Sequence, residues 1–267
     1  MKKILALALA LLMILSMAAC GKKADSDAAY IEDNGKLVVG YTIYEPMNYF
    51  DENGDFTGFD TEFAEAVCAK LGLEPDFVEI VWDTKEIELN AKSIDCIWNG
   101  MTITEERQET MSISLPYVKN AQVVVVKADS AVASTADLIG KTVVAEIGSA
   151  GEAQVEGEDA NADLAQAEYV GLAKQTDCLL EVKAGAADAA VLDWTLAKSM
   201  VGEGTDFADL KMVDGLELAA EEYGIAFRKD SDFTEKVNKA IEDLVADGTM
   251  GALAEKYGLA LAPAIDK

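Results

Sequence analysis

Arg107 lies in segment 99–107 (NGMTITEER), at a point where a helix does not favour a cation. A buried strand leads into this segment, and Thr104 is placed to cap a short helix after it. Arg107 therefore falls in the first helical turn, where the helix dipole favours acidic residues such as Glu105 and Glu106. A guanidinium there could bind a carboxylate through two parallel hydrogen bonds. The alternative is an ordinary surface arginine paired with one of the two glutamates.

Two later segments also carry groups that could meet a charged ligand. Segment 148–152 (GSAGE) has capping-box spacing at a helix start, and its small Ala150 and Gly151 would let an anion approach the helix amides. The alternative there is a normal helix start. Asp193 ends an apolar strand and begins a helix. It is either the cap of that helix or a strand-end carboxylate that faces a cationic group.

Strands alternate with helices along the chain, which predicts a mainly parallel sheet with right-handed crossovers. The pattern restarts at Ala121. Predicted strands cover 36–41, 76–80, 96–98, 122–127, 141–145, 169–170, 189–192, 210–213 and 224–227. Predicted helices cover 60–71, capped by Asp60, and 84–92, 134–139, 174–184, 232–246 and 249–257. Ligands of such sheets lie beyond the carboxyl ends of the strands, where Tyr44, Trp82, Trp98 and Arg107 are placed.

Composition excludes several classes of function. The net charge of −27 makes nucleic acid an improbable partner. The absence of histidine excludes histidine triads, histidine-ligated zinc and imidazole acid–base catalysis. Cys68, Cys96 and Cys178 are widely spaced in apolar surroundings, so buried thiols are favoured over a Cys68–Cys96 bridge or a metal site.

The N-terminus is typical of a bacterial lipoprotein signal. Two lysines precede an uncharged run of 16 residues, 4–19, which is shorter than the roughly 20 that a bilayer span needs. The small residues before Cys20 predict a signal peptide over 1–19 and lipidation, such as palmitate, on Cys20. A plain secretory signal is the alternative. Residues 20–35 are then expected to form the lipidated cysteine and a flexible, polar tether.

Seven motifs in a fixed order resemble those of extracellular solute-binding proteins of the polar amino acid family, the receptors of ABC importers. The resemblance covers about residues 36–258. The motifs are Leu37-Val-Val-Gly, Gly58-Phe-Asp, 95–107, Pro116-Tyr117, 148–152, 187–193 and 223–227. The resemblance implies an α/β, two-lobe, periplasmic-binding-protein-like type II fold, with a hinge of two crossings near 117–121 and 219–223. Lobe 1 would comprise about 30–118 and 222–267, and lobe 2 would comprise 119–221.

The family's binding roles transfer to matching positions of this chain. The resemblance implies that Arg107 clamps the α-carboxylate of an amino acid and that Asp193 takes its α-ammonium. The other ligand-binding residues implied are Tyr44 and Trp82 as walls, Asn99, the Gly100 carbonyl, the amide and hydroxyl of Thr102, and the amides near Ser149 and Ala150.

The chain departs from the family pattern at three positions near the expected site. An acidic or small residue often precedes the Tyr44 position in the family, where this chain has Tyr41 and Thr42. A basic residue can stand at the position of Glu146. These departures leave the preference for the ligand's side chain open.

The resemblance implies a monomeric, lipid-anchored receptor at the outer face of the bacterial cytoplasmic membrane. It would deliver a free amino acid, with a polar one favoured, to a membrane permease, without enzyme activity, cofactor or metal. One alternative is a lyase or dehydratase on the same fold, which would have to use carboxylates such as Glu45 or Asp193. The other is an amino acid sensory domain, a class usually fused to a membrane span and a signalling output.

Overall fold

A computed structural model of the chain describes residues 26–157 and 160–266. The predicted signal peptide and Cys20 lie outside the described residues. The helices are α1 (Asp27–Asn34), α2 (Phe59–Leu71), α3 (Lys85–Asn90), α4 (Glu105–Thr110), α5 (Ala150–Val155), α6 (Gln175–Ala184), α7 (Trp194–Met200), α8 (Phe233–Ala246) and α9 (Thr249–Tyr257). The strands are β1 (Lys36–Tyr41), β2 (Tyr49–Phe50), β3 (Phe56–Thr57), β4 (Glu74–Glu79), β5 (Cys96–Ile97), β6 (Met111–Ile113), β7 (Val118–Lys127), β8 (Thr142–Glu146), β9 (Glu168–Leu172), β10 (Ala189–Asp193), β11 (Leu210–Tyr223) and β12 (Ala226–Arg228). No helix within these ranges is both long and apolar enough to cross a bilayer.

The first five-stranded sheet has the order β4-β1-β5-β12-β6. β1 is parallel to β4 and β5, whereas β12 is antiparallel to β5 and β6. Most of β1 is buried, as its apolar Leu-Val-Val run predicts for a strand covered on both faces. Large side chains of α2 pack beneath this sheet, with Phe59 and Phe63 fully buried. The loops that follow the strands therefore extend from a well-packed sheet.

The second five-stranded sheet has the order β11-β7-β10-β8-β9. Its β8 is parallel to β10 and β9, and β7 is antiparallel to β10 and β11. The strands β8 and β10 are buried almost throughout. Their carboxyl ends, at Glu146 and Asp193, therefore lie side by side at one edge of this sheet.

Two strands connect the sheets. The chain enters the second sheet at β7 and returns at the end of β11, and these strands pair from Val118 opposite Tyr223 to Gln122 opposite Ala219. The sequence predicted only a short strand at 210–213, which is wrong because β11 continues to Tyr223. Register shifts between Met212 and Ala219 interrupt the strict alternation of buried and exposed positions that identifies a strand.

The predicted flexible tether is wrong for its last part, because Asp27–Asn34 form helix α1. The Ser26 hydroxyl accepts a hydrogen bond from the Ala29 amide at 3.0 Å and so caps the helix. Asp27 forms an ion pair with Arg228 at 2.6 Å, and Ile31 is fully buried. A helix with so few apolar residues has weak periodicity, and its contacts with distant Arg228 are not visible in the local sequence.

The sequence predicted that Asp60 caps helix α2, and this prediction is wrong. The N-cap is Gly58, and the fully buried Asp60 carboxylate accepts hydrogen bonds from the Gly100 amide at 2.7 Å and the Tyr117 hydroxyl at 2.9 Å. Asp60 therefore holds the loop at Gly100 in place through the Gly100 amide. The cysteine prediction is confirmed, because Cys68, Cys96 and Cys178 are buried free thiols.

Asp60 makes folding stability depend on pH. Burial raises the pKa of Asp60 from 3.8 to about 7, although its hydrogen bonds oppose the shift. An acid with a raised folded-state pKa contributes stability that is full below the unfolded pKa and is lost as pH rises through the folded one. Asp60→Asn should therefore gain stability relative to the wild type between pH 4 and 7, by about 1.4 kcal/mol per pH unit at most. Urea unfolding at several pH values would measure the difference, and a pH-independent difference would contradict it.

Candidate ligand-binding site

A cavity with about 360 Å³ of empty space, part of which is open to solvent, lies between the two sheets. Its walls come from loops that follow strand ends in both sheets. The lining residues are Thr42, Ile43, Tyr44, Trp82, Asn99, Gly100, Thr102, Arg107, Glu146, Ser149, Ala150, Gln175, Asp193 and Leu196. All nine residues expected to bind a ligand are among them. That they do bind one stays a prediction.

Arg107 is a buried cation in the wall of this cavity, with 8% of its surface exposed. The Thr104 hydroxyl caps α4 by accepting from the Arg107 amide at 3.1 Å, which confirms the predicted helix start. The guanidinium donates to the Thr102 carbonyl at 2.8 Å and to the Gly148 carbonyl at 3.0 Å. A guanidinium has five N–H groups, so these two bonds orient it and leave donors for a ligand. The alternative of a surface ion pair is wrong.

Asp193 is the second charged group of the wall and lies on the second-sheet side. It stands at the N-cap position of α7, but its side chain accepts no capping hydrogen bond. Its carboxylate instead accepts from the side-chain amides of Asn120 at 2.6 Å, Gln122 at 2.8 Å and Gln175. Burial raises the pKa of Asp193, and these amide donors oppose the shift. The alternative of a mere helix cap is therefore wrong.

Glu221 adds a second carboxylate behind Asp193. It accepts hydrogen bonds from Gln122 at 2.8 Å and from the Thr102 hydroxyl at 2.9 Å. Burial and the neighbouring Asp193 raise the pKa of Glu221 to about 7. Two carboxylates that share neutral amide donors repel each other, so a bound cation would be favourable here.

The loop at Gly100 is shaped to bring backbone close to the cavity. Gly100 has φ +57°, and a Cβ there would lie 2.7 Å from the Tyr44 ring. A larger residue would therefore collide with this aromatic wall. Asn99 donates to the Thr42 carbonyl and to the Asn48 side chain, each at 2.8 Å. The Asn99 side chain thus holds the loop in place.

The structure differs from the expected roles of Trp98 and of the Ser149 amide. Trp98 was placed with the aromatics around Arg107, but it is fully buried and packs edge-on against Phe63 with ring centroids 4.9 Å apart. Trp98 directly follows β5, the central strand of the first sheet, and its side chain lies in the core. The Ser149 amide donates to the Glu146 carbonyl at 3.2 Å. A ligand contact with this amide would have to compete with that bond.

Several groups cross between the two sides of the cavity. The Lys85 ammonium donates to the Gly148 carbonyl at 3.0 Å, beside the bond from Arg107 to the same oxygen. Lys174 pairs with Glu79 at 3.0 Å. The exposed Lys174–Glu79 pair contributes little free energy by itself. Together these contacts hold the two sides of the cavity against each other.

Sequence reasoning did not include all of the lining residues. Glu146 was noted only as a departure from the family pattern, and Gln175 was not singled out. Asn120 and Gln122, which hold Asp193, were also not singled out. A signal for them exists, because polar residues two apart in the apolar strand β7 lie on one face of the sheet. Polar groups on a buried face need partners.

Comparison with known proteins identifies the family. Residues 37–260 match the family described as bacterial extracellular solute-binding proteins, family 3. The chain is 31% identical to the arginine-binding extracellular protein ArtP of Bacillus subtilis (strain 168), over 96% of this chain and 98% of that protein. It is 30% identical to the L-cystine-binding protein TcyJ of Escherichia coli (strain K12), over 85% of this chain and 84% of that protein.

A solved structure supports the same fold. An ABC uptake transporter substrate-binding protein from Streptococcus pneumoniae with bound histidine has a TM-score of 0.77 and 28% identity, covering 88% of this chain and 97% of that chain. The chain therefore has the two-lobe α/β fold that the family resemblance implied. The named relatives are binding proteins and not enzymes. The chain belongs to family 3 of the bacterial extracellular solute-binding proteins.

Proposed function

We propose that this protein captures a free amino acid in the cavity between its sheets and delivers it to the permease of an ABC importer. The observation that carries the proposal is the pairing of charges across the cavity. Arg107 lies on the first-sheet side and Asp193 on the second-sheet side, and both are buried side chains that line the same cavity. An amino acid zwitterion has one group for each of them.

The energetics agree with tight, reversible binding. Each charge of a zwitterion must be paired when water is excluded, since an unpaired buried charge costs several kcal/mol. A charge-assisted hydrogen bond contributes about 1.5–3 kcal/mol. Four or five such bonds, less the cost of association, give about 8–11 kcal/mol, which corresponds to micromolar to tens-of-nanomolar affinity.

Ligand binding would be coupled to closure of the two lobes. The lobes would comprise about 30–118 plus 222–267 and 119–221, with the hinge at the two crossings near 117–121 and 219–223, where β7 pairs with the end of β11. Arg107 then belongs to lobe 1 and Asp193 to lobe 2, so the complete set of contacts forms only in the closed state. The ligand shifts an open–closed equilibrium, and a permease can distinguish a loaded receptor from an empty one.

The side-chain class proposed is polar. The relatives at about 30% identity are named for arginine and cystine, and the S. pneumoniae protein holds histidine. These ligands share the α-carboxylate and α-ammonium and differ beyond them. Tyr44 and Trp82, both buried in the wall, would flank the ligand's side chain.

Isothermal titration calorimetry with the twenty standard amino acids, cystine and ornithine tests this function. We expect at least one to bind to the purified, ligand-free chain with one site per chain. A separate assay with prephenate and arogenate tests the dehydratase alternative. Turnover of either compound would overturn the receptor function.

We further propose that Cys20 carries a lipid that anchors the protein to the outer face of the membrane. Cys20→Ala should release the protein into the soluble fraction when it is expressed in a bacterium that processes lipoproteins. A single acyl chain binds membranes only marginally, so stable anchoring implies more than one chain on this residue. Cys178→Ala provides a matched control, because this thiol is buried in the folded chain. Persistent membrane association of the Cys20 variant would refute the anchor.

A further inference from the structure

We propose that the bound amino acid carries a cationic side chain and that Glu146 is the residue that receives this charge. The inference rests on the proposed function, whose ligand it specifies. Glu146 ends strand β8 in the cavity wall, with 4% of its surface exposed. The pairing of Arg107 and Asp193 with the two α-groups of an amino acid leaves this third charged residue unused.

Among residues 26–157 and 160–266, the Glu146 carboxylate forms no ion pair, and the neutral Gln175 side chain is its hydrogen-bonding neighbour. The Gln175 amide also donates to Asp193, so Glu146 shares this neighbour with a second carboxylate. The backbone carbonyl of Glu146 accepts from the Ser149 amide, which fixes the main chain but does not satisfy the carboxylate. A buried carboxylate without a cationic partner is costly, so a ligand that supplies one gains affinity.

Charge balance around the cavity supports a cationic ligand. Two cations, Arg107 and Lys85, stand against three buried or nearly buried carboxylates, Glu146, Asp193 and Glu221. One negative charge is therefore in excess when all five groups are ionised. A zwitterion leaves this excess unchanged. An amino acid with a guanidinium or ammonium side chain removes it.

Lys85 is near Glu146 but does not form an ion pair with it. The Lys85 ammonium donates to the carbonyls of Trp82 at 3.2 Å and Gly148 at 3.0 Å, and it forms no ion pair with Glu146 within 4.0 Å. Burial and the neighbouring Arg107 lower the pKa of Lys85 to about 8. Glu86, Glu146 and Asp83 raise the pKa of Lys85 and oppose this shift. Lys85 therefore acts on Glu146 through space, without an ion pair, and shares its charge with two other carboxylates.

The raised pKa of Glu146 is consistent with a buried carboxylate that has no ion-pair partner. Burial and then Asp193 raise its pKa to about 8, while Lys85, Arg107 and Gln175 lower it. The buried Cys178 thiol also faces Glu146, and its own pKa is raised mainly by burial. Glu146 therefore keeps its proton to a higher pH than an ordinary glutamate when no cation is bound beside it. A cation that binds beside it would lower the pKa and release a proton.

Arginine and citrulline form the sharpest test, because their side chains have similar size and differ in the charge of the terminal group. We expect calorimetry on the purified chain at pH 7 to show a basic amino acid, arginine, lysine or ornithine, bound at least about 30-fold more tightly than citrulline. Glu146→Gln should weaken the basic ligand by a similar factor and leave citrulline within about threefold. Glu168→Gln is the matched control, since it makes the same change at an exposed position of the same sheet.

Proton release gives an independent measurement on the wild type. Titration of the best basic ligand in two buffers with different ionisation enthalpies measures the protons released on binding. Asp193 and Glu221 can contribute too, because their pKa values are also raised. Glu146→Gln should therefore release fewer protons than the wild type at pH 7. Equal release by the two proteins would show that Glu146 does not face the bound charge.

The outcomes separate this inference from the proposed function. Tighter binding of a neutral amino acid than of arginine, lysine and ornithine would overturn the inference and leave the receptor function standing. Unchanged affinity of Glu146→Gln for its basic ligand would also overturn it. If no amino acid binds at all, the proposed function itself fails. Should Glu146→Gln not fold by circular dichroism, the wild-type comparison of basic ligands with citrulline decides the question.

Discussion

Arg107→Ala is expected to weaken amino acid binding by about 1000-fold or more while the protein remains folded. Truncating one member of a buried, hydrogen-bonded charge pair costs about 2–5 kcal/mol or more, and the ligand's carboxylate would be left unpaired in a closed cavity. The loss falls on binding because, within the described ranges 26–157 and 160–266, the guanidinium hydrogen-bonds to two loop carbonyls, those of Thr102 and Gly148, and forms no ion pair. Calorimetry with the preferred amino acid measures the effect.

Two further variants complete this experiment. Arg107→Lys keeps the charge but loses the planar fork, so it should bind more weakly than the wild type and more tightly than the alanine variant. Lys229→Ala removes an exposed cation and should change nothing. The thermal midpoint of each variant checks the fold. Wild-type affinity in folded Arg107→Ala would remove Arg107 from the site.

Asp193→Asn is expected to weaken binding by about 2 kcal/mol or more, about 30-fold. The substitution preserves shape and removes the charge that would pair with the α-ammonium. It also places an amide nitrogen near Asn120, Gln122 and Gln175, which donate hydrogen bonds to the carboxylate in the wild type. Calorimetry with the same ligand measures the loss.

The matched control is Asp214→Asn, which makes the same change at an exposed position of strand β11. It should leave affinity unchanged. The thermal midpoints of both variants show whether the Asp193 network also supports the fold. An unchanged dissociation constant for Asp193→Asn would exclude this carboxylate from ligand contact.

Local sequence patterns predicted those parts of the fold that local interactions determine. Strand β1 and helix α9 have the predicted bounds because each combines an uninterrupted apolar pattern with a clear boundary. Thr104 was identified as a cap because capping involves residues only three apart. The nine binding residues that the family resemblance implied line one cavity because loops after strand ends of both sheets form its walls.

The remaining features depend on contacts between distant parts of the chain. Asp60 is a buried acceptor for Gly100 and Tyr117, 40 and 57 residues away, although its local sequence suggests a helix cap. Helix α1 is held partly by Arg228, 201 residues away. The pKa of Glu146 depends on Asp193, which lies near it because β8 and β10 are paired in parallel. Patterns of neighbouring residues in one sequence do not show which distant residues come into contact.

The central claim is that the cavity holds an amino acid by both of its α-charges. Its most direct test is a crystal structure of the chain with the amino acid that binds most tightly in calorimetry. We predict one ligand between the sheets, with its α-carboxylate on the Arg107 guanidinium and its α-ammonium on the Asp193 carboxylate. A ligand bound outside this cavity, or bound inside it with neither α-group on these two residues, would contradict the claim.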